Sequence, residues 1–242
     1  MVKFLFISLI LFSFGWAGVV RVATSANVSY AMDSLIAKFE SSHPKIKIQK
    51  VVSSSGKLTA QIIHKAPYDI FLSANMSYPQ RLYKLKLSSK PKVYAKGLLA
   101  LFSTKKLKLS KGLKLLEDNK IKKIAIANPK LAPYGKASVE ALKRAKIYPK
   151  IEPKVIFADS ISQTLSYTLK VADVGIVAKS LLLSPKMSRF KKSWIEIDRA
   201  LYTPIKQGAV LINPSKDAEA FFEFLFSKEA KEILSNYGYL VD

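Results

Sequence analysis

The 242-residue chain contains no cysteine, and its only histidines are His43 and His64. The missing cysteine excludes disulfide bonds and a lipid anchor on a cysteine. Neither histidine belongs to a metal-ligand pattern, so both are predicted to be surface residues. A chain without disulfides depends on its apolar core, and one of this length can bury a large core.

Long apolar runs are also scarce, and the one that stands out extends from Phe4 to Phe14. It follows a single lysine and precedes Gly15-Trp16-Ala17, which is typical of a secretory signal peptide over residues 1–17. The run is shorter than the ~20 residues that a membrane-spanning helix requires. Because Trp16 is unusual beside a cleavage site, an uncleaved anchor is the alternative. The mature chain is predicted to be exported to the periplasm or another extracytoplasmic compartment.

Acidic residues are few, with 17 Asp and Glu against 40 Lys and Arg. Without residues 1–17 the chain keeps 39 basic and 17 acidic residues, a net charge of +22. Such a charge is typical of proteins that bind nucleic acids or membrane surfaces. The lysines, however, are scattered along the whole chain and do not form one stripe with interleaved aromatic residues. We therefore predict a lysine-rich surface that steers anions, without a nucleic-acid partner. A surface that docks on a polyanion is the alternative.

Short β-branched runs alternate with helix-periodic runs, which favours an α/β protein with largely parallel sheets. The predicted strands cover residues 19–24, 46–52, 69–74, 97–104, 122–129, 154–159, 173–179 and 208–214. The predicted helices lie between and after them, with Ser29 as the cap of the first helix. Two such series are either successive domains or two lobes with crossed chain ends, and periodicity alone does not separate these cases.

Four predicted helices begin at small or hydroxyl residues that directly follow a strand or its turn. The four starts are residues 25–27 (Ser-Ala-Asn), 53–56 (Ser-Ser-Ser-Gly), 133–135 (Pro-Tyr-Gly) and 160–161 (Ser-Ile). Free N–H groups in the first turn of a helix point outward, and the helix dipole favours negative charge there. Ligands of open parallel sheets bind at the carboxyl ends of the strands. A serine before a helix is usually an ordinary N-cap, but four such starts together predict an oxyanion pocket built from uncharged donors.

A site made of uncharged donors also discriminates between anions according to whether they carry a proton. A fully deprotonated tetrahedral oxyanion carries only acceptors, which hydroxyl, amide and backbone N–H groups can satisfy. A protonated phosphate needs an acceptor for its own O–H group and is penalised where it finds none. Asp159 is the nearby carboxylate candidate, although a carboxylate at a helix start is its more ordinary interpretation.

An enzymatic alternative arises because Ser54-Ser55-Gly56-Lys57 satisfies the S-x-x-K spacing of penicillin-binding proteins and β-lactamases. A four-residue match arises easily by chance in a chain rich in serine and lysine, and neither S-D-N nor K-T-G occurs downstream. Lys57 is followed by Leu58 rather than by Ser or Thr, so the segment is not a P-loop. No catalytic set remains, and the protein is predicted not to be an enzyme.

Seven motifs occur in a specific order over essentially all of the mature sequence. They are "SANVSYAM", "SSSGKLTAQI", "KAPYDIFLSAN", "IANPKLAPYGKASVEAL", "PKVIFADSISQTL", "DVGIVAKS" and the ending "AFFEFLFSKEAKEILSNYGY". Together they resemble the periplasmic molybdate-binding proteins of molybdate ABC transporters. No single motif would suffice, and the order and spacing make the resemblance specific.

The resemblance implies a type II periplasmic-binding-protein fold, in which two α/β lobes, each a mainly parallel sheet flanked by helices, are joined by a double hinge. It places lobe 1 in residues 18–95 and 207–242, and lobe 2 in residues 96–206. It also implies that molybdate or tungstate binds in the dry cleft between the lobes, without a cofactor. The protein is then a monomer that delivers its ligand to a membrane permease.

The resemblance also assigns oxyanion contacts residue by residue. Ser55 matches the family's serine whose hydroxyl and N–H bind an oxyanion oxygen. Asn27 matches a position held by serine in many members and by asparagine in a subset. Tyr134 and Ile161 match positions that contribute a backbone N–H group.

Three further candidates belong to the predicted site: the Ala26 backbone N–H, Ser25 and Ser160. One position departs from the family, since many members carry a tyrosine after "GIV" whose hydroxyl reaches the ligand, and this chain has Ala178. Either Asn27 or the Tyr134 hydroxyl is expected to compensate.

The leading prediction is thus an exported binding protein for molybdate or tungstate. These two anions have nearly the same size and shape, so the sequence does not rank them. A carrier of sulfate, phosphate or another small anion on the same scaffold is the alternative.

Overall fold

Two five-stranded sheets carry the fold of residues 18–241, the residues that the computed structural model describes. The predicted signal peptide, residues 1–17, lies outside the described residues. From edge to edge, the first sheet contains β2 (Ile46–Ser53), β1 (Gly18–Ser25), β3 (Ile70–Ser73), β10 (Ile205–Leu211) and β4 (Lys92–Gly97). β1 is parallel to β2 and β3, whereas β10 is antiparallel to both of its neighbours.

The second sheet repeats this plan. From edge to edge it contains β7 (Val155–Ala158), β6 (Ile124–Ala127), β8 (Val174–Ala178), β5 (Leu99–Phe102) and β9 (Trp194–Glu196). β6 is parallel to β7 and β8, and β5 is antiparallel to β8 and β9. In each sheet one strand therefore opposes the other four, so the prediction of mainly parallel sheets is confirmed.

Helices cover both sheets. The α-helices within residues 18–241 are α1 (Ser29–Ser42), α2 (Ser55–Ile63), α3 (Ser77–Lys84), α4 (Pro133–Arg144), α5 (Tyr148–Ile151), α6 (Ile161–Lys170), α7 (Lys179–Leu182), α8 (Lys216–Phe224) and α9 (Lys228–Asn236). Short 3-10 helices lie at Ala26–Val28, Leu109–Glu117, Glu152–Lys154, Pro185–Phe190 and Arg199–Leu201. None of the helices in this described part of the chain has the length and apolar character needed to cross a bilayer.

The predicted strands are all present, with ends that differ by a few residues, but β4 and β9 were not predicted. Both are edge strands that pair on one side only. An edge strand need not read as apolar, and β4 carries Lys92 and Lys96. Ser29 was wrong as the cap of α1, because a 3-10 turn precedes the helix. The Ser29 hydroxyl instead donates to the Ala26 carbonyl over 2.9 Å.

The chain crosses between the sheets twice, and the two crossings lie side by side. It leaves the first sheet at Gly97 and enters the second at Leu99, then returns from Glu196 to Ile205. Ile205 pairs directly with Gly97 in the β10–β4 ladder. Both connections therefore pass through one place, which is the geometry of a double hinge. The predicted lobe limits at 95/96 and 206/207 stay a prediction.

Apolar cores form on both faces of the first sheet and around the second. On one face of the first sheet, α1, α8 and α9 bury a cluster that includes Phe39 and Phe221. On its other face α2 and α3 bury Leu58 and Leu82. The larger cluster around the second sheet also takes in Ala26 and Ala74, which follow strands of the first sheet. Apolar contact thus continues across the cleft, and the two lobes rest on each other.

Candidate functional site

At the start of α2, the Ser55 hydroxyl accepts one hydrogen bond and, within the described part of the chain, donates none. Ser54 occupies the N-cap position and Ser55 the first helical position, and both are buried. Ser55 Oγ accepts a hydrogen bond from the Ala74 N–H over 2.9 Å. Among the bonds made within residues 18–241, the Ser55 hydroxyl donates none, and the Ser55 N–H has no acceptor. Ser55 therefore retains two donors at a helix start.

Asn27 lies in the 3-10 turn after β1, and its side chain is fully engaged. Its Nδ2 donates to Gln207 Oε1 over 2.9 Å and to the Tyr239 hydroxyl over 2.8 Å, and its Oδ1 accepts from Ser25 Oγ over 2.8 Å. Its carbonyl accepts from the Ser180 hydroxyl over 2.8 Å and from the Tyr239 hydroxyl over 3.0 Å. This network fixes the Asn27 peptide and leaves its side-chain amide without a free donor.

The α4 start lies tightly over the end of β6. A side chain at Gly135 would overlap the Ala127 carbonyl oxygen, so glycine lets the first turn approach the strand end. The neighbouring Tyr134 is buried, and its N–H has no acceptor within the described residues. The Tyr134 hydroxyl lies against Gly97 at the crossing between the sheets and makes no hydrogen bond of good geometry there.

The α6 start contributes a free N–H and a contact to the other lobe. Ser160 Oγ caps its own helix by accepting from the Gln163 N–H over 3.2 Å. The Ile161 N–H has no acceptor within residues 18–241. Ser162, one residue later, donates its hydroxyl to the Ala26 carbonyl over 2.9 Å. The α6 start therefore lies directly against the turn that holds Asn27.

Contacts across the cleft bring the other helix starts together. The Gly56 N–H donates to the Leu131 carbonyl over 3.0 Å, which joins α2 to the loop before α4. Lys57 Nζ pairs with the Asp159 carboxylate over 2.6 Å, which joins α2 to the loop before α6. With the Ser162–Ala26 bond, these contacts place the four predicted helix starts around one closed cleft. The structure thus brings Asn27, Ser55, Tyr134 and Ile161 into one region.

The donors around this cleft are uncharged. Within residues 18–241, no lysine or arginine makes a hydrogen bond to any of the four. Burial, reinforced by the neighbouring tyrosines Tyr239, Tyr94 and Tyr202, raises the pKa of the Tyr134 hydroxyl well above its ordinary value. Burial likewise raises the pKa values of Tyr94 and Tyr239. These hydroxyls consequently stay protonated and neutral.

The structure also argues against the serine-lysine enzyme and the metal site as alternatives. Lys57 is paired with Asp159 rather than with Ser54, whose Oγ is buried without a partner. His43 stacks on Phe39 at a ring distance of 4.2 Å in the first lobe. Among the described residues, no group of three His, Cys, Asp or Glu side chains could hold a metal ion. The candidate site is therefore a binding site made of amides and hydroxyls.

The sequence motifs missed several residues that complete the network: Ser162, Ser180, Gln207 and Tyr239. The serines lie within matched motifs, but nothing in their spacing marks a contact to the other lobe. Gln207 offers a weak signal, because it is an uncharged polar residue that directly precedes the Gly-Ala-Val-Leu run of β10. Tyr239 lies 212 positions from Asn27, and no local pattern links them.

Two α/β lobes with paired crossings and a closed cleft between them define a solute-binding protein of the periplasmic-binding-protein class. The chain belongs to the bacterial extracellular solute-binding protein family, whose model matches residues 20–240. It is 33% identical over 235 residues to the molybdate-binding protein of Rhodobacter capsulatus, covering 93% of this chain and 90% of that one. It is 32% identical to the molybdate-binding protein of Azotobacter vinelandii, with 92% and 90% covered.

A solved structure agrees with this assignment. The Azotobacter vinelandii periplasmic molybdate-binding protein superposes with a TM-score of 0.84 and 28% identity, covering 92% of this chain and 99% of that one. The predicted two-lobed fold is confirmed by this match. The prediction of a binding protein rather than an enzyme is confirmed by the same relatives.

Proposed function

We propose that this protein captures molybdate or tungstate, as the naked dianion, in the cleft between its two lobes. The observation that carries the proposal is the meeting of three helix starts whose N–H groups, at Ser55, Tyr134 and Ile161, have no acceptor within the described residues. Relatives that are molybdate-binding proteins over nearly their whole length support the choice of ligand.

Each donor has a defined part in this proposal. Ser55 offers its hydroxyl and its N–H, Tyr134 and Ile161 offer N–H groups, and the turn at Ala26 and Asn27 offers backbone N–H groups. A dianion with acceptors alone satisfies all of them, and the helix starts favour its charge. The Asn27 side-chain amide and the Ser25 hydroxyl already donate to protein acceptors. We therefore assign these two side chains to holding the backbone rather than to the anion. Ser160 Oγ accepts from the Gln163 N–H, and its own hydroxyl hydrogen, which no described residue accepts, remains available to the anion.

Closure is the step that encloses the anion. The ligand bridges the lobes, so it favours the closed form in which the cleft excludes water. The Lys57–Asp159 ion pair also joins the two lobes in the closed form, but its side chains are 45% and 59% exposed. An exposed pair of this kind contributes little, at most about 1 kcal/mol. Closure therefore depends on the proposed anion together with the apolar contact and the hydrogen bonds across the cleft, and little on this ion pair.

The protein's setting is proposed from the same relatives. We infer that it is exported, works as a monomer in the periplasm or an equivalent compartment, and presents the closed form to the permease of an ABC importer. Its large positive charge raises the local concentration of anions around the open cleft.

Calorimetric titration tests the ligand. Molybdate and tungstate are expected to bind more tightly than phosphate, because the cleft offers donors without an acceptor for a phosphate proton. Sulfate is fully deprotonated as well, so the expected preference over sulfate rests on the molybdate-binding relatives. The titration uses the chain from Gly18 onward with all four anions at one ionic strength. Tighter binding of sulfate or phosphate than of both metal oxyanions would defeat the proposal and favour the small-anion alternative.

Affinity for molybdate is expected to be independent of pH between about pH 6.5 and about pH 9. The proposed donors, a serine hydroxyl and backbone N–H groups, do not titrate in this range. The surrounding tyrosines Tyr94, Tyr134 and Tyr239 stay neutral as well, because burial raises their pKa values above the ordinary ~10. Titrations at several pH values should therefore agree to within about twofold. A tenfold change in affinity per pH unit near neutrality would reveal a titrating group in contact with the anion.

A further inference from the structure

Gln207 is a wholly buried polar residue on β10, the strand by which the chain returns to the first sheet. Its Oε1 accepts from Asn27 Nδ2 over 2.9 Å, and its Nε2 donates to the Ile205 carbonyl over 2.8 Å. The same Nε2 also reaches the Ala74 carbonyl over 3.4 Å. Burying an amide is costly unless it is hydrogen-bonded, so these partners hold the side chain in one orientation.

The bonds of Gln207 continue to the second donor of the first lobe. Ala74, whose carbonyl accepts from Gln207, donates its N–H to Ser55 Oγ over 2.9 Å. A short chain of hydrogen bonds therefore runs from Asn27 through Gln207 and Ala74 to Ser55. Its two ends are the two helix starts that the first lobe contributes to the cleft.

The position of Gln207 ties this chain to the hinge. The pairing of β10 with β4 shifts register between Gln207 and Gly208, so the ladder is irregular at this residue. Gly97, the last residue before the other crossing, lies so close that a methyl group on it would come within 2.8 Å of Gln207 Nε2. The side chain thus lies against both crossings and the Asn27 turn, and it is linked to the Ser55 turn through Ala74.

We infer that Gln207 is a positioning residue for the anion site, which fixes the Asn27 turn and the Ser55 hydroxyl relative to each other and to the hinge. The inference rests on the proposed function. Gln207 itself does not contact the anion; it acts through Asn27 and Ala74. Because the Gln207 hydrogen bonds already hold the donors in place before the ligand arrives, less conformational entropy is lost when the ligand binds.

The test compares two variants with the parent protein by calorimetric titration with molybdate and tungstate. Gln207→Leu removes every hydrogen bond of the side chain, and its affinity is expected to fall about tenfold. Gln207→Glu keeps the shape but replaces both N–H donors with an acceptor. At about pH 9, where the introduced carboxyl is ionised, the variant is expected to bind as weakly as Gln207→Leu.

The pH dependence of the affinity distinguishes a positioning role of Gln207 from a merely structural one. Burial raises the pKa of an introduced carboxyl, and its protonated form can again donate one hydrogen bond and accept another. Gln207→Glu is therefore expected to regain most of its lost affinity at about pH 6.5, within the range where the parent's affinity is constant, whereas Gln207→Leu stays weak. Gln61→Leu, which removes the bond from the Tyr68 hydroxyl in the first lobe, is the matched control and should bind as the parent does.

The outcomes separate this inference from the proposed function. Binding by the parent together with unchanged affinity in Gln207→Leu overturns the inference alone, as does a Gln207→Glu variant that is insensitive to pH. Failure of the parent to bind either metal oxyanion overturns both. If Gln207→Leu does not fold, the pH response of Gln207→Glu decides the question by itself, with thermal unfolding of both proteins measured alongside.

Discussion

Replacing Gly97 with alanine is expected to weaken molybdate binding at least about a hundredfold, or ~2.7 kcal/mol. A methyl group at this position would overlap the Tyr134 hydroxyl and come within 2.8 Å of Gln207 Nε2. Tyr134 belongs to the second lobe and Gly97 to the crossing, so the overlap arises when the lobes are closed. Calorimetry measures the loss of affinity, and small-angle scattering checks whether molybdate still contracts the molecule.

Two further variants make the Gly97 result specific. Adding Tyr134→Phe to Gly97→Ala removes the overlapping oxygen while keeping the Tyr134 backbone N–H, so part of the affinity should return. Gly112→Ala is the control, because Gly112 has open space around it but a φ of 60°. It is expected to lower the melting temperature slightly and leave the affinity unchanged. Equal affinity in Gly97→Ala and the parent would show that closure does not need this approach.

Replacing Ser55 with alanine is expected to weaken molybdate binding about thirtyfold, or ~2 kcal/mol. The change removes the hydroxyl that we propose donates to the anion, and a donor to a charged acceptor is worth about 1.5–3 kcal/mol. It also removes the acceptor of the Ala74 N–H, which leaves that buried group without a partner. The affinity is measured by the same titration, at a temperature well below the melting point.

Ser53→Ala is the matched control for Ser55→Ala. Ser53 ends β2 two residues earlier, and its side chain is only partly buried. Its replacement should leave the affinity within about twofold of the parent, since no anion donor is lost. If Ser55→Ala binds molybdate as the parent does, then Ser55 is not a ligand of the anion.

Much of the fold could be predicted from local patterns. The alternation of β-branched and helix-periodic segments identified the central strands, because a strand buried on both faces must be apolar throughout. The same reasoning identified the edge strands β2 and β7 but missed β4 and β9 at the opposite edges. β4 and β9 pair on one side only: β4 includes two lysines, and β9 is three residues long and ends in a glutamate, so neither forms a recognisable apolar run.

The candidate site was predicted as a set of helix starts, and that part follows from local chemistry. A serine, glycine or Pro-Tyr-Gly segment after a strand indicates free N–H groups whatever the rest of the chain does. The partners of those segments could not be predicted in this way. Asn27 is held by Gln207 and Tyr239, which lie 180 and 212 positions away in the sequence.

By itself, the sequence determined the order of eight of the ten strands with their helices, the uncharged character of the donors and the places where helix N–H groups are left free. These properties depend on residue type and on neighbours within a few positions. Only the tertiary structure decided that the Asn27 side chain is occupied, that the Ser55 hydroxyl is free, and that Gly97 admits the Tyr134 hydroxyl. The physical reason is that a hydrogen bond needs its partner within about 3 Å. Here the two crossings between the sheets bring those partners together from opposite ends of the chain.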